Sequence, residues 1–266
     1  MRMGFNWRSI RDWHFTMHTF TSDAVLLFLV KTKIEIQSRA KNWKEIFQAA
    51  YNGISEFINE ISGGIIAFIF NWMMIQRGGI DGVAAITVVN YLLLLGFMVF
   101  FSISDTIQVM LSQNFGARQT KRMEDFLKTA SWLILFVSGF FITALLTLSE
   151  SLILLFVDEQ SGGKMVAMAT ELMAYVWPVF LFAGANMLIS GYLTAIHLPF
   201  QSGMVALSSS LVLPGGFLFL LYILLSDYRF VAALAIAEGV TFVIAIIIFL
   251  RHTPSTAVVA IGKSLN

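Results

Sequence analysis

Six long apolar segments follow one another between residues 51 and 250, and they constrain the fold more than any other feature of the sequence. Each is long enough to cross a bilayer, whose hydrocarbon core takes about 20 helical residues. Helices are expected rather than strands, because lipid cannot satisfy exposed backbone groups and the alternating pattern of a membrane barrel is missing. The sequence therefore predicts an all-α membrane protein with six transmembrane helices, at residues 51–75, 83–111, 131–148, 165–190, 203–225 and 230–250.

The composition agrees with this fold class. Of the 266 residues, 58% are hydrophobic and 12% are charged, and the mean hydropathy is +0.79. Soluble proteins carry about 25% charged residues. The net charge of +1 favours no nucleic-acid partner, and membrane lipids are the expected surroundings. The absence of cysteine excludes disulfides, thiol catalysis and cysteine-based metal sites.

The 17 basic residues are distributed unevenly when the loops are assigned alternately to the two sides of the membrane. Only Arg77, Lys164 and Arg229 fall on one side, and all the others fall on the side that holds both termini. Basic loops stay in the cytoplasm. The sequence thus predicts a cytoplasmic segment and connector at 1–50, a transmembrane lobe at 51–250 and a cytoplasmic tail at 251–266, in the cell inner membrane.

The first predicted helix carries a polar stripe. Glu56 and Glu60 lie one turn apart on one face, and Asn71 falls within about 20° of Glu60 at 100° per residue. A carboxyl group at the depth of Glu60 is expected to stay neutral until a cation arrives, so it is suited to exchange a proton for cargo. The alternatives are a structural hydrogen bond for Glu60 and contact with headgroup water for Glu56.

Four further polar residues are secondary candidates. Asp105 lies near the end of the second helix, where an interfacial role is expected. Asn90 and Asn186 fit either a cavity wall or a contact between helices. Glu238 is flanked by small residues that permit close helix packing, so a structural hydrogen bond is expected there.

Two prolines fall inside predicted helices. Pro178 and Pro214 each remove a backbone hydrogen bond, so both positions are expected to be bends that act as hinges or line a cavity. No metal-ligand spacing and no catalytic motif stands out, so neither a metal nor enzymatic activity is predicted.

Four stretches together resemble the second half of the multidrug and toxic compound extrusion family. They are NGISEFINEISGGIIAFIFN in the first helix, GVAAITVVNY in the second, SQNFGARQTKR in the following loop and VAALAIAEGVTF in the last helix. The loop is the most specific of them, because Asn114, Phe115, Gly116 and Ala117 resemble the family's Asn-Tyr-Gly-Ala sequence. The resemblance covers residues 50 to 250.

The resemblance implies the C-terminal six-helix lobe of a secondary antiporter that exports cationic amphipathic compounds in exchange for H⁺ or Na⁺. No cofactor is implied beyond that coupling ion. The family's acidic residue in this helix corresponds best to Glu60, and Asn71 matches a frequent asparagine. The implied partners are small organic cations and either a missing N-terminal lobe or a second copy.

Two departures from the family keep alternatives open. A first lobe has no counterpart here, so a truncated, non-transporting fragment or a subunit that needs a separate first lobe is one alternative. The other is a lipid-linked oligosaccharide flippase of the same superfamily, which would be expected to line its cavity with basic residues. Ser209 stands where family members often place an arginine before the proline, which puts that contact in doubt.

Overall fold

The computed structural model describes the backbone at residues 43–156 and 163–264, and side chains at Phe47 and, within those ranges, at 61–259. The described chain is helical. Its α-helices are α1 Trp43–Gly116, α2 Thr120–Thr147, α3 Ser149–Leu154, α4 Gly163–Val176, α5 Val179–Ala195, α6 Pro199–Leu207, α7 Leu213–Leu224, α8 Ala233–Arg251 and α9 Pro254–Ser264. A π-turn at Ser208–Val212 joins α6 to α7, and a 3-10 turn at Tyr228–Ala232 precedes α8. The all-α prediction is confirmed.

Helix α1 is interrupted at Gly79, where φ is 63° and ψ is −154°. This region of backbone space is essentially restricted to glycine, because a side chain would clash there. Residues 63–70 before the break and 90–105 after it line one cavity, so the chain doubles back at Gly79. The two arms of this hairpin correspond to the first two predicted segments.

Four helical stretches are long and apolar enough to cross a membrane: 61–116, 120–147, 199–224 and 228–251. A fifth results if α4 and α5, bent by 52° at their junction, form one span. The predicted count of six is not confirmed. The stretch 61–116 counts once here, although it contains two of the predicted segments, one on each side of Gly79. The predicted helix at 165–190 is divided at Pro178, and the predicted helix at 203–225 contains a π-helical segment before Pro214.

The structure also bears on the predicted C-terminal tail and on the predicted N-terminal segment. Residues 251–266, predicted as a tail, contain helix α9. The chain divides into compact units at Met1–Ala50 and Tyr51–Asn266, and most of the first unit lies outside the described residues. The cytoplasmic placement of 1–50 and of the tail stays a prediction.

Helix α5 lies at the centre of the lobe and packs against α2, α6 and α8. Its residues Phe180, Leu193 and Tyr192 are completely buried. The hydroxyl group of Tyr192 donates a 2.5 Å hydrogen bond to the carbonyl oxygen of His252 beyond α8. Because most of α5 is buried against several neighbours, it is the element around which the others are arranged.

Charged and aromatic side chains pair at the end of the lobe where the sequence predicts few basic residues. Arg77 donates a 2.9 Å hydrogen bond to the carbonyl oxygen of Tyr222, and its guanidinium lies 4.4 Å from the centre of the Tyr222 ring. Lys164 lies 3.3 Å from the carboxylate of Asp81. These contacts tie the hairpin bend to α4 and α7.

Close approach of helices depends on glycine in α5. A β-carbon at Gly184 would lie 2.7 Å from Ile134 of α2 and 2.9 Å from Phe100 of α1. Neither neighbour is free to move, because Phe100 is completely buried and Ile134 is 4% exposed. Only a residue without a side chain fits where these three helices meet.

We expect Gly184→Ala to destabilise the lobe by about 1–3 kcal/mol, the usual effect of overpacking a filled core. Gly139→Ala is the matched control, because it adds the same methyl group in helix α2 with no atom within 4 Å. Both variants gain the same helix propensity, so their difference isolates the clash. Thermal unfolding in detergent measures it, and equal stability of the two variants would contradict the packing described.

Candidate functional site

A cavity of about 510 Å³ lies between the two arms of α1, helix α5, the α6–α7 segment and the start of α8. Its walls combine aromatic rings with side chains that form hydrogen bonds. The polar lining residues are Asn90, Tyr91, Ser104, Asp105, Gln108, Asn186, Ser190, Thr194, Ser202, Ser209, Ser210 and Glu238. Ligand sites in proteins typically combine an apolar wall with a few convergent polar groups, as here.

Glu238 is the most buried acid of this lining, with 7% of its surface exposed. One carboxylate oxygen, Oε2, accepts a 2.7 Å hydrogen bond from Asn186 Nδ2, and the other, Oε1, accepts a 2.6 Å bond from the Ser209 hydroxyl. Asn186 Nδ2 also donates to the backbone carbonyl of Glu238 at 3.0 Å. Three elements, α5, the π-turn and α8, are thus joined at one carboxyl group.

The cluster leaves several buried oxygen atoms without a partner. They are Asn186 Oδ1, Ser210 Oγ and Thr241 Oγ1, and Thr241 is one turn beyond Glu238 on α8. A buried polar atom without a hydrogen bond is unfavourable. The Asn186 amide oxygen can only accept, whereas the two hydroxyl groups can accept or donate, so water or a polar ligand group would satisfy all three.

The local sequence explains how Ser209 reaches Glu238. Pro214 has no N–H to offer the carbonyl of Ser210 four residues earlier, so regular α-helical bonding cannot continue there. The chain adopts a π-turn at Ser208–Val212, a feature that is frequent at functional sites. Both Ser209 and Ser210 line the cavity as a result.

No lysine, arginine or histidine lines the cavity among the described residues. The ion pairs of the described chain, Lys164 with Asp81 and Arg229 with Asp227, do not involve the lining. Glu238 therefore lacks a basic partner there. A buried carboxylate without one is unfavourable, so a proton or a cation must neutralise it.

A hydroxyl network forms one wall of the cavity where α5 faces α6. The hydroxyl groups of Ser190 and Ser202 lie 2.9 Å apart, and those of Thr194 and Ser202 lie 2.7 Å apart. Ser202 also donates to the carbonyl oxygen of Ser190 at 2.9 Å. Hydrogen bonds between helices hold membrane segments together, so this wall is structurally fixed.

The structure brings several sequence candidates together. Asn90, Asp105, Asn186, Pro214 and Glu238 all line the cavity. The hydrogen bond expected at Glu238 is present, but its position on the cavity wall was not foreseen. Sequence reasoning also missed Ser209 and Ser210 as contacts of the site, although three serines before Pro214 were the available signal.

Other candidates lie elsewhere. Asn71 donates a 2.9 Å hydrogen bond to Ala67 of its own helix and does not belong to the described cavity lining. Pro178 lies at the 52° bend between α4 and α5, outside that lining. The side chains of Glu56 and Glu60 lie outside the described residues, so their role stays a prediction.

Apolar helices of this length define a multi-pass membrane protein. The MatE family matches residues 57–220, more than half of the chain, and the chain belongs to this family. The family assignment made from the sequence is confirmed. No curated protein matches the chain.

Solved structures share the fold. One described as MATE in complex with MaL6 has a TM-score of 0.72 and 19% identity, covering 84% of this chain and 49% of its own. The outward-facing conformation of a multidrug resistance MATE family transporter of the MOP superfamily gives 0.71 at 17% identity, covering 86% and 50%. An inward-facing conformation described in the same words gives 0.69 at 18% identity, covering 84% and 50%. The chain spans about half the length of these structures.

The cysteine-free sequence allows a direct test of the cavity. We expect Ala206→Cys, on the cavity wall, to react with a cationic methanethiosulfonate reagent faster than with an anionic one, because the lining is acidic. Ala183→Cys is the matched control, since Ala183 is 1% exposed and outside the lining. Mass spectrometry of the purified protein follows the modification. Equal reaction of both variants, or a preference for the anionic reagent, would contradict the geometry.

Proposed function

We propose that this chain is a lobe of a secondary active antiporter that exports cationic amphipathic compounds in exchange for H⁺ or Na⁺. Glu238 is the acid at which cargo or coupling ion is bound. The observation that carries the proposal is its carboxyl group, buried at the cavity with two neutral donors and with no basic residue in the described lining. No resident cofactor is part of the proposal.

Exchange follows from competition for one carboxylate. The bilayer interior penalises an uncompensated charge by about 2.5–3.5 kcal/mol on insertion scales, so either the coupling ion or the cargo must neutralise Glu238. Each therefore weakens the binding of the other, and the coupling is reciprocal. Cargo leaves when the coupling ion takes its place.

The cavity wall also favours a particular class of cargo. Phe70, Tyr91, Phe97 and Phe101 contribute aromatic surface on the two arms of α1. Aromatic faces attract organic cations and bury their apolar parts. A cation with hydrophobic rings could contact this surface while its charge lies near Glu238.

Glu60 and Glu56 are proposed as further acids of the same path. Helical periodicity places position 56 within about 20° of Gly63 and position 60 within about 20° of Ala67, each seven residues away. Gly63 and Ala67 both line the cavity. An acid on this face would provide a second binding position for the cation. Asn71 lies outside the described lining and would not contact the cation directly.

Alternating access requires a facing lobe, because the chain covers about half of the matched structures. An N-terminal lobe or a second copy of the chain is the proposed partner. The lobe matches outward-facing and inward-facing structures almost equally, so its fold is compatible with both states. Movement of one lobe against the other is the proposed cycle, with bends at Pro178 and Pro214 as hinges. The proposed location is the inner membrane, with both termini in the cytoplasm.

The flippase alternative is less well supported. A diphosphate headgroup would require lysine or arginine on the cavity wall, and the described lining holds none. The described lining holds Asp105 and Glu238 instead. A cationic cargo fits that balance of charge.

We expect the purified chain to bind a fluorescent lipophilic cation and Glu238→Gln to bind it at least about tenfold more weakly, because one charge-assisted contact is lost. Glu150→Gln is the control, since that acid is exposed and outside the cavity. Fluorescence anisotropy in detergent measures binding. Binding that is equal in all three proteins would overturn the assignment of Glu238.

The coupling ion is tested with the same assay. We expect either lower pH or added Na⁺, against a choline control, to displace the cation from the wild type, with a loss of this effect in Glu238→Gln. Competition by neither ion would contradict antiport at this site. Efflux from cells expressing the chain, with Glu60→Gln alongside, tests transport itself, and binding without efflux until a first lobe is supplied would identify a fragment.

A further inference from the structure

A second concavity, of about 320 Å³, lies on the outside of the lobe, separate from the central cavity. Helix α2 forms one side, and the end of α8 and the start of α9 form the other. Its lining residues are Glu124, Leu127, Lys128, Ser131, Trp132, Leu135, Phe249 and Pro254. We call it the α2 groove.

The lining changes from polar to apolar along α2. Glu124, Lys128 and Ser131 give the first part of the groove its polar groups, beside Leu127, and only apolar or aromatic residues, Trp132 and Leu135, follow further along the helix. From Glu124 to Leu135 the helix advances about 16 Å. A phospholipid has the same order along the membrane normal, with its polar headgroup first and its apolar acyl chains deeper.

The orientation predicted from the basic residues places the polar end of the groove at headgroup level. Arg118, Lys121 and Arg122 are within a few residues of it, at the basic end of the lobe. Trp132 is 74% exposed, and tryptophan is enriched at the boundary between headgroups and hydrocarbon. A lipid in the groove would therefore belong to the leaflet on the basic side, which is the cytoplasmic leaflet in the proposed orientation.

The two charges of the groove are available to a ligand. Glu124 and Lys128 are one turn apart, yet the ion pairs among the described residues do not include them. A carboxylate and an ammonium side by side complement a zwitterion whose phosphate contacts Lys128 and whose own ammonium donates to Glu124. A choline headgroup has no N–H to donate, and a glycerol headgroup brings no positive charge to Glu124.

We propose that the α2 groove binds a phospholipid with a primary-amine headgroup, of the phosphatidylethanolamine type. The phosphate lies at Lys128, the headgroup ammonium at Glu124, and one acyl chain runs along Trp132, Leu135 and Phe249. The site does not depend on the function proposed for the central cavity.

Native mass spectrometry of the full chain in detergent tests the proposal, with ethanolamine, N,N-dimethylethanolamine, choline and glycerol phospholipids of identical acyl chains added in turn. We expect one ethanolamine lipid to bind, with affinity falling about tenfold from ethanolamine to choline as the N–H donors are removed. Equal retention of the four lipids, or preference for the glycerol lipid, would overturn the proposal. This series uses the wild-type protein, so it does not depend on the folding of any variant.

Variants then locate the site. We expect Glu124→Gln to lose the preference for ethanolamine over choline, and Lys128→Gln to weaken both lipids alike. Asp125→Asn and Lys121→Gln are matched controls, because they remove the same charges next to the groove but outside its lining. Control variants that change lipid preference as much as the groove variants would place the binding elsewhere and refute the assignment.

Discussion

The contact between Asn186 and Glu238 connects the central helix of the lobe to its last long span. Asn186 belongs to α5, which packs against three other helices, and it donates to both the side chain and the backbone of Glu238. Ser209 brings the π-turn to the same carboxyl group. The geometry of the cavity depends on this contact, because it fixes the spacing of the walls that α5, the π-turn and α8 provide.

Small residues allow the remaining helices to approach α5. Gly184 leaves space for Phe100 and Ile134. About two helical turns further along, Gly191 leaves space for the Ser104 hydroxyl group, which donates to the carbonyl oxygen of Met187. In lipid, helices associate through close packing and hydrogen bonds rather than through the exclusion of water. Asn186 lies on another side of α5, about 200° around the helix from Gly184 at 100° per residue, so one helix provides the close packing on one side and the cavity contact on another.

The sequence alone predicts the all-α fold class, because hydropathy reports directly on the requirement that backbone groups in lipid be bonded within a helix. Its motifs predict the family, whereas the count of six spans is not confirmed. It does not predict the hairpin at Gly79 as a single interrupted helix, since two adjacent glycines are compatible with a loop as well. Nor does it select Glu238 over Glu60. Both are acids in apolar helices, and only the tertiary arrangement shows that Asn186 and Ser209 converge on Glu238. Ser209 in particular reaches the site through a π-turn, which Pro214 makes possible but does not by itself specify.

The composition of the Glu238 cluster argues for a role beyond stability. Replacing a buried polar cluster with apolar side chains is often neutral or stabilising, so a cluster that served only to hold α5 to α8 would be better satisfied or absent. Here two donors serve the carboxylate, while Asn186 Oδ1, Ser210 Oγ and Thr241 Oγ1 stay unbonded nearby. The carboxylate thus has neutral donors only, and the described cavity lining carries no basic side chain that would balance its charge. That imbalance is removed when a cation or a proton enters, and restored when it leaves, which is the property that a reversible binding site in a bilayer requires.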